Sequence, residues 1–496
     1  MPVRIQLDKP HAYFTNLDYI TGRVILSTVF EETISAVIVK LEGESRTRLA
    51  GDLSHGADYA MSERPRTELE VHKLLYNVVS VFPSPDLQRA SPRNAAYTLP
   101  PGQHEYPFQF KLPFNNDCAS TNSVLTNLNM VGMRVEMARN TERHVKKTLP
   151  PSLSGFPGEA EIRYFVKVTV QRPSFFKENF RATADFKFFP IEPPRPPDSK
   201  RESYARRQHQ FLPSIAQPLP TSPLYRKGSS TKVPGILEKP PKISIDGRLP
   251  DPAIITCNEP LPLRILISKM NDSPDTIFLQ MLQIELIGYT FVRAHDFSRT
   301  ESTSWIIVSH SNLRMPFGGS QTSAPKEMEV SRALWNTIPL SNTVAPTFET
   351  CNLSRQYVLE IRVGLAYGSP GNIKPELTVQ PLRMPVQVYS GIAPPEALLA
   401  AMAATPVAQS QPRPYKPPPF AHVPSRIPVS PAATPPHPNQ YAGPQPPEFG
   451  DEAPPSYEDA MAENVGPVVG ARRDYEQPNT PAGAPDFGAD WKRDSM

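Results

Sequence analysis

The chain is 496 residues long, with 62 prolines, 39% apolar residues and a formal net charge of +3. So weak a positive bias argues against a nucleic-acid binder, and no aromatic-interleaved basic patch accompanies it. The three cysteines, Cys118, Cys257 and Cys351, are odd in number and widely spaced. That excludes a disulfide framework or a CxxC metal knuckle readable from spacing, and it suits a reducing compartment.

Met1-Pro2-Val3-Arg4-Ile5 opens as a strand rather than a signal peptide. No apolar run reaches the ~18 residues of a membrane-spanning helix. From there to residue 191, apolar side chains recur with period two. Val3, Ile5 and Leu7 share one face, and Val37, Val39 and Leu41 share another until Gly43 ends the run. Tyr106, Phe108, Phe110 and Leu112 alternate with Pro107, Gln109 and Lys111. Tyr164, Val166, Val168 and Val170 alternate with Arg163, Lys167 and Thr169, and Phe180 to Phe188 continues the pattern. These are half-buried strands, punctuated by turn signals at Thr21-Gly22 and Pro100-Pro101-Gly102.

Residues 192–241 break the alternation. They are proline-rich and basic (Arg201, Arg206, Arg207, Arg226, Lys227), and a disordered linker is expected there. A solvated linker is favoured over one that binds anionic lipid. Residues 242–392 repeat the β pattern. Leu263, Ile265 and Ile267 share a face, as do Leu282, Ile284 and Leu286, with Gly288 closing that run. Tyr357, Leu359, Ile361 and Val363 follow, then Val386 and Val388. Many short strands without alternating helices predict an all-β chain of two tandem antiparallel sandwiches, 1–191 and 242–392, each with its own core. Residues 393–496 are expected to be a disordered proline-rich tail.

That tail holds Pro454-Pro455-Ser456-Tyr457, a PPxY sequence. Adjacent prolines hold the backbone in polyproline II, so little entropy is lost on docking. In such ligands the prolines fill an aromatic groove and the tyrosine a second pocket, which makes Pro454, Pro455 and Tyr457 candidate WW-domain contacts. Pro417-Pro418-Pro419-Phe420 and Pro446-Pro447-Glu448-Phe449 put phenylalanine in the tyrosine place and are weaker candidates. Ser203, Ser222, Ser229, Ser430, Thr434 and Thr480 are candidate phosphorylation sites beside basic residues or before proline. In so proline-rich a chain, Ser/Thr-Pro pairs also arise from composition alone.

Enzyme signatures are missing: no GxSxG, Walker loop, HExxH or strand-borne GxGxxG occurs. No enzyme activity, cofactor or metal is expected.

The order of several pieces resembles the arrestins. In the first half these are Ile5-Gln6-Leu7-Asp8, Tyr19 to Val24, Val37 to Gly43, Tyr97 to His104 and Leu149-Pro150-Pro151-Ser152. In the second they are Trp335 with Ile338-Pro339, Thr350 to Leu353 and Arg355 to Ile361. With the PPxY tail the chain is similar to α-arrestins of fungal type. The resemblance implies two immunoglobulin-like lobes of the arrestin fold. It also implies an adaptor that brings a HECT-type (NEDD4-like) ubiquitin ligase, through its WW domains, to plasma-membrane transporters or receptors for ubiquitination and endocytosis. Such an adaptor is cytoplasmic, is recruited to plasma membrane and endosomes, touches the membrane through its cargo and uses no nucleic acid. The alternative is an arrestin-fold signalling scaffold for a receptor or ambient-pH pathway, without obligatory ligase recruitment.

Overall fold

The structure, a computed structural model, describes residues 2–50, 67–118, 147–212, 240–317, 327–404 and 462–468, apart from short breaks within these stretches. Among these residues the chain is almost entirely β and forms two sandwich lobes. In the N-terminal lobe one sheet runs Val3–Leu7, Tyr19–Thr28, Gly102–Lys111. The other runs Tyr13–Phe14, Phe180–Phe188, Ala160–Gln171, Ala36–Ala50, Thr67–Phe82. The C-terminal lobe pairs Glu202–Gln210, Lys242–Pro250, Arg264–Lys269 and Glu327–Glu329 in one sheet. Its larger sheet is built on Ile254–Thr256, Thr378–Tyr389, Leu353–Ser369, Thr276–Ala294 and Phe297–His310.

The alternation determines which face is buried. Tyr164, Val166, Val168 and Val170 lie fully inside, while Arg163, Lys167 and Thr169 stay half-buried on the outer face. Burying each such Val, Leu or Ile contributes about 1.5–3 kcal/mol, so a one-residue slip that turned this set to solvent would be very costly.

Two strands outrun their expected ends. Gly43 sits inside Ala36–Ala50 and Gly288 inside Thr276–Ala294. Each is the direct cross-strand partner of a tyrosine: Gly43 faces Tyr164, and Gly288 faces Tyr357. A Cβ on Gly43 would lie 2.7 Å from the Tyr164 ring, and one on Gly288 would lie 2.8 Å from the Tyr357 ring. The glycines are therefore seats for aromatic rings rather than strand terminators.

The linker expectation is corrected at Glu202–Gln210, which pairs antiparallel with Lys242–Pro250 along its whole length. Its polar sequence disguised an edge strand. Only Phe211, just past its end, is deeply buried, packing against Tyr367 with ring centroids 4.8 Å apart. Charged edges are a common protection against stray strand pairing. Arg206 is held there by a two-pronged pair to Asp246, Nε to Oδ1 at 2.7 Å and Nη2 to Oδ2 at 2.6 Å.

The tail expectation is corrected as well. Glu396–Ala404 is a helix, anchored by fully buried Leu398, and residues 462–468 include a helical turn followed by a packed segment. Nor are the two cores independent. Val292, Ala294, Ala345, Phe348 and Leu353 of the second lobe belong to the first lobe's hydrophobic cluster. The far end of the Thr276–Ala294 strand thus inserts into the neighbouring core.

Candidate functional site at the lobe junction

The insertion brings polar side chains of both lobes into one buried seam. Thr47, Glu70 and His72 face inward from the paired Ala36–Ala50 and Thr67–Phe82 strands, as does Ser45. Opposite them stand Arg293 and His295, at the hairpin between Thr276–Ala294 and Phe297–His310, and Asn352, just before Leu353–Ser369. Ser45 Oγ donates to Asn352 Oδ1 at 2.7 Å, and Asn352 Nδ2 donates to Thr47 Oγ1 at 3.0 Å. Thr47 Oγ1 donates in turn to the Arg293 carbonyl at 2.5 Å. Burying these groups costs little because each finds a partner in the other lobe.

Glu70 is the charged centre of the seam. Its Oε1 lies 2.6 Å from His72 Nε2 and 3.0 Å from Arg293 Nη2, and its Oε2 accepts the His295 N–H at 2.5 Å. Burial alone would raise this carboxyl. The hydrogen bonds from His72 and the His295 amide, with the Arg293 charge, hold it below its ordinary value instead. Burial also works against the His72 imidazolium, but the contacts with Cys351 and Glu70 raise its pKa above the ordinary value. At the rim, Lys147 pairs with Glu349 and Arg299 with Glu159, both across the lobes.

Beside the seam a cleft of about 690 Å³ opens between the lobes. Pro150 and Pro151 line it from one side, and Phe348, Arg355 and Tyr389 from the other. Next to it the tail returns. Ala462 is buried against Leu17, Phe114, Ile191 and Leu398, with Val465 and Val468 packed alongside. Lys111 Nζ donates to the carbonyls of Ala462, Glu463 and Val465 at 2.9, 2.7 and 2.7 Å. All three ammonium protons are thereby used, and orphan carbonyls at the end of a helical turn are satisfied. Burial pushes the Lys111 ammonium below its ordinary value, and Glu463 offsets part of that.

Residues 3–132 match the arrestin (or S-antigen) N-terminal domain family. The match spans the strands of the first sheet and the Ala36–Ala50 and Thr67–Phe82 pair that carries Glu70 and His72. No curated relative matches the chain. The two-lobed all-β architecture is that of the arrestin fold, and the seam lies where its two lobes meet.

Pro454, Pro455 and Tyr457 lie outside the described residues, as do Ser222, Ser229, Ser430, Thr434 and Thr480. Ser203 is described and differs from its expected setting. It is half-buried on the Glu202–Gln210 edge strand, its Oγ donating to Asp251 Oδ1 at 2.9 Å. Sequence reasoning gave no seam residue a site role, although Asn352 falls within the Thr350 to Leu353 piece of the arrestin resemblance. Ser45, Glu70, His72, Arg293 and Asn352 form no local motif, and only the packing of one lobe's sheet against the other's assembles them.

Proposed function

We infer that this chain is an arrestin-fold adaptor that recruits a HECT-type ubiquitin ligase to membrane transporters or receptors through Pro454-Pro455-Ser456-Tyr457. The observation that carries the reading is this PPxY sequence, on a tail attached to an arrestin-type body. The docked segment supports it. Ala462 is bound to the N-terminal lobe only five positions after Tyr457, so a ligase held at the motif would work close to that lobe. A short tether raises the effective concentration of the ligase at whatever the lobes hold. The lobes would then engage cytosolic parts of the cargo, and ubiquitination and endocytosis would follow.

The test is calorimetric titration of the full-length chain with WW domains from HECT-type ligases, beside the Tyr457→Ala variant. Saturable binding that the variant loses is the expected result. Binding that is absent, or unchanged by Tyr457→Ala, overturns ligase recruitment and leaves a signalling scaffold of arrestin fold.

A further inference from the structure

Within the seam, three side chains from distant parts of the chain converge on one point. Cys118 Sγ lies 3.4 Å from Cys351 Sγ and 3.3 Å from His72 Nδ1. All three donor atoms lie within 4.8 Å of one another, and all three residues are buried. The adaptor reading makes no use of them.

The geometry points to a soft transition-metal site, fitted to Zn²⁺, in which His72 Nδ1, Cys118 Sγ and Cys351 Sγ bind one ion and clasp the two lobes together. The dimensions agree. With Zn–S near 2.3 Å and Zn–N near 2.0–2.1 Å, a tetrahedral centre puts its sulfurs about 3.8 Å apart and sulfur about 3.6 Å from nitrogen. The two measured separations fall within about 0.4 Å of those edges. A disulfide needs sulfurs about 2.05 Å apart, far inside the observed 3.4 Å.

The donor chemistry agrees too. Two thiolates and an imidazole suit zinc over magnesium or calcium, which prefer oxygen. Two thiolates also neutralise a divalent ion, so the loaded cluster carries no net charge into the core. Three protein donors leave one position for a solvent ligand.

The surroundings are arranged to hold the ligands still. Glu70 takes His72 Nε2 at 2.6 Å, the orienting contact that leaves Nδ1 to face the sulfurs. Glu70 is itself held by Arg293 and the His295 amide. Cys351 is positioned by its neighbours. Thr350 Oγ1 accepts the Leu353 N–H at 3.0 Å, and Asn352 is bonded to Ser45 and Thr47 of the other lobe. His72 and Cys118 come from the first lobe and Cys351 from the second, so the ion would be a bond between lobes. Binding energy at such a site adds directly to the stability of the docked arrangement.

The experiment uses the full chain, purified reduced and without chelator. Elemental analysis is expected to find about one zinc per chain. Titrating the metal-depleted chain with Co²⁺ is expected to give a near-ultraviolet sulfur-to-cobalt charge-transfer band and strong visible bands of a tetrahedral ion. Cys118→Ser and Cys351→Ser are expected to abolish the charge-transfer band or weaken it sharply. Cys257→Ser, whose thiol sits elsewhere against the Val344 carbonyl, is expected to keep it. Glu70→Gln tests the positioning role and is expected to lower Co²⁺ affinity about 10–100-fold.

Three results would overturn the site. One is a wild-type chain that neither retains zinc nor develops a thiolate–cobalt band. Another is a band of undiminished intensity in folded Cys351→Ser. The third is a peptide map showing Cys118 joined to Cys351 in the reduced preparation. Since the first and third need only the wild-type chain, a variant that fails to fold does not shelter the proposal.

Discussion

The two lobes solve the same packing problem in the same way, with no shared sequence to announce it. Each has a long strand that runs on through a glycine, each glycine faces a tyrosine, and each tyrosine hydroxyl reaches back to a loop carbonyl. Tyr164 donates to Pro150, and Tyr357 to Ala345. Both loops run along the cleft between the lobes. The device resembles the tyrosine corner of immunoglobulin sandwiches, where a buried hydroxyl ties a connecting loop to the core.

What differs is the cover. In the first lobe Tyr164 lies among aromatic neighbours, 4.9 Å from Phe188 by ring centroid. In the second, Tyr357 and Trp305 share the Arg355 guanidinium, 5.6 and 5.1 Å from their ring centres. The first lobe also takes in apolar residues of the second and the returning tail. The lobes are alike in their corners and unlike in their dependence on the rest of the chain.

The strongest way to break the likeness is to fill the glycine seats. Gly43→Val and Gly288→Val should each destabilise their own lobe at or above the upper end of the ~1–3 kcal/mol that overpacking a core costs. Denaturant melts would give the size, and hydrogen exchange the lobe affected. An effect in only one lobe would show that the two corners are not equivalent.

Next comes the dependence between lobes. Asn352→Ala leaves Ser45 and Thr47 short of buried partners and should cost about 1–3 kcal/mol. Small-angle scattering should show the lobes loosening.

Tyr164→Phe and Tyr357→Phe keep the rings and lose one hydrogen bond each. About 1 kcal/mol apiece is expected from paired melts, with near-equal values if the corners match.

Lys111→Met removes the donors that hold 462–468. Faster amide exchange confined to that segment and its contacts is expected, with little change in the second lobe.

The smallest effect concerns the edge of the second lobe. Hydrogen bonds from Arg206, reinforced by those from Arg248, hold the Asp246 carboxyl below its ordinary 3.8. A lowered folded pKa means that the ionised form stabilises the lobe above that ordinary value. The contribution fades as pH falls through the folded value. Asp246→Asn should flatten this acid limb in pH-dependent melts.

Much of this was legible in the sequence, and the reasons are local. Period two in Tyr164 to Val170 or in Tyr357 to Val363 reports a strand with one wet face, whatever its partners. The arrestin resemblance in the first half rested on such pieces in order. The edge strand Glu202–Gln210 escaped because composition cannot separate an exposed strand from a linker. With Tyr204 exposed and only Ala205 packed on the core from within it, nothing in its pattern called for burial. Gly43 and Gly288 were misplaced for a related reason. A glycine ends a hydrophobic run as readily as it seats a ring, and the ring is more than 60 residues away in either case.

By itself, then, the sequence determined the all-β class, the two lobes and the presence of a PPxY sequence near the C-terminal end. Those follow from periodicity and from short motifs whose physics lies within a few residues. Only the tertiary structure decided the shared core, the docking of 462–468 on Lys111, and the meeting of Glu70, His72, Cys118, Arg293 and Cys351. These residues stand as far as 281 positions apart in the chain (351 − 70). Burial and strand register, rather than spacing, bring their polar atoms together, because a buried polar group is tolerated only where the fold supplies its partner.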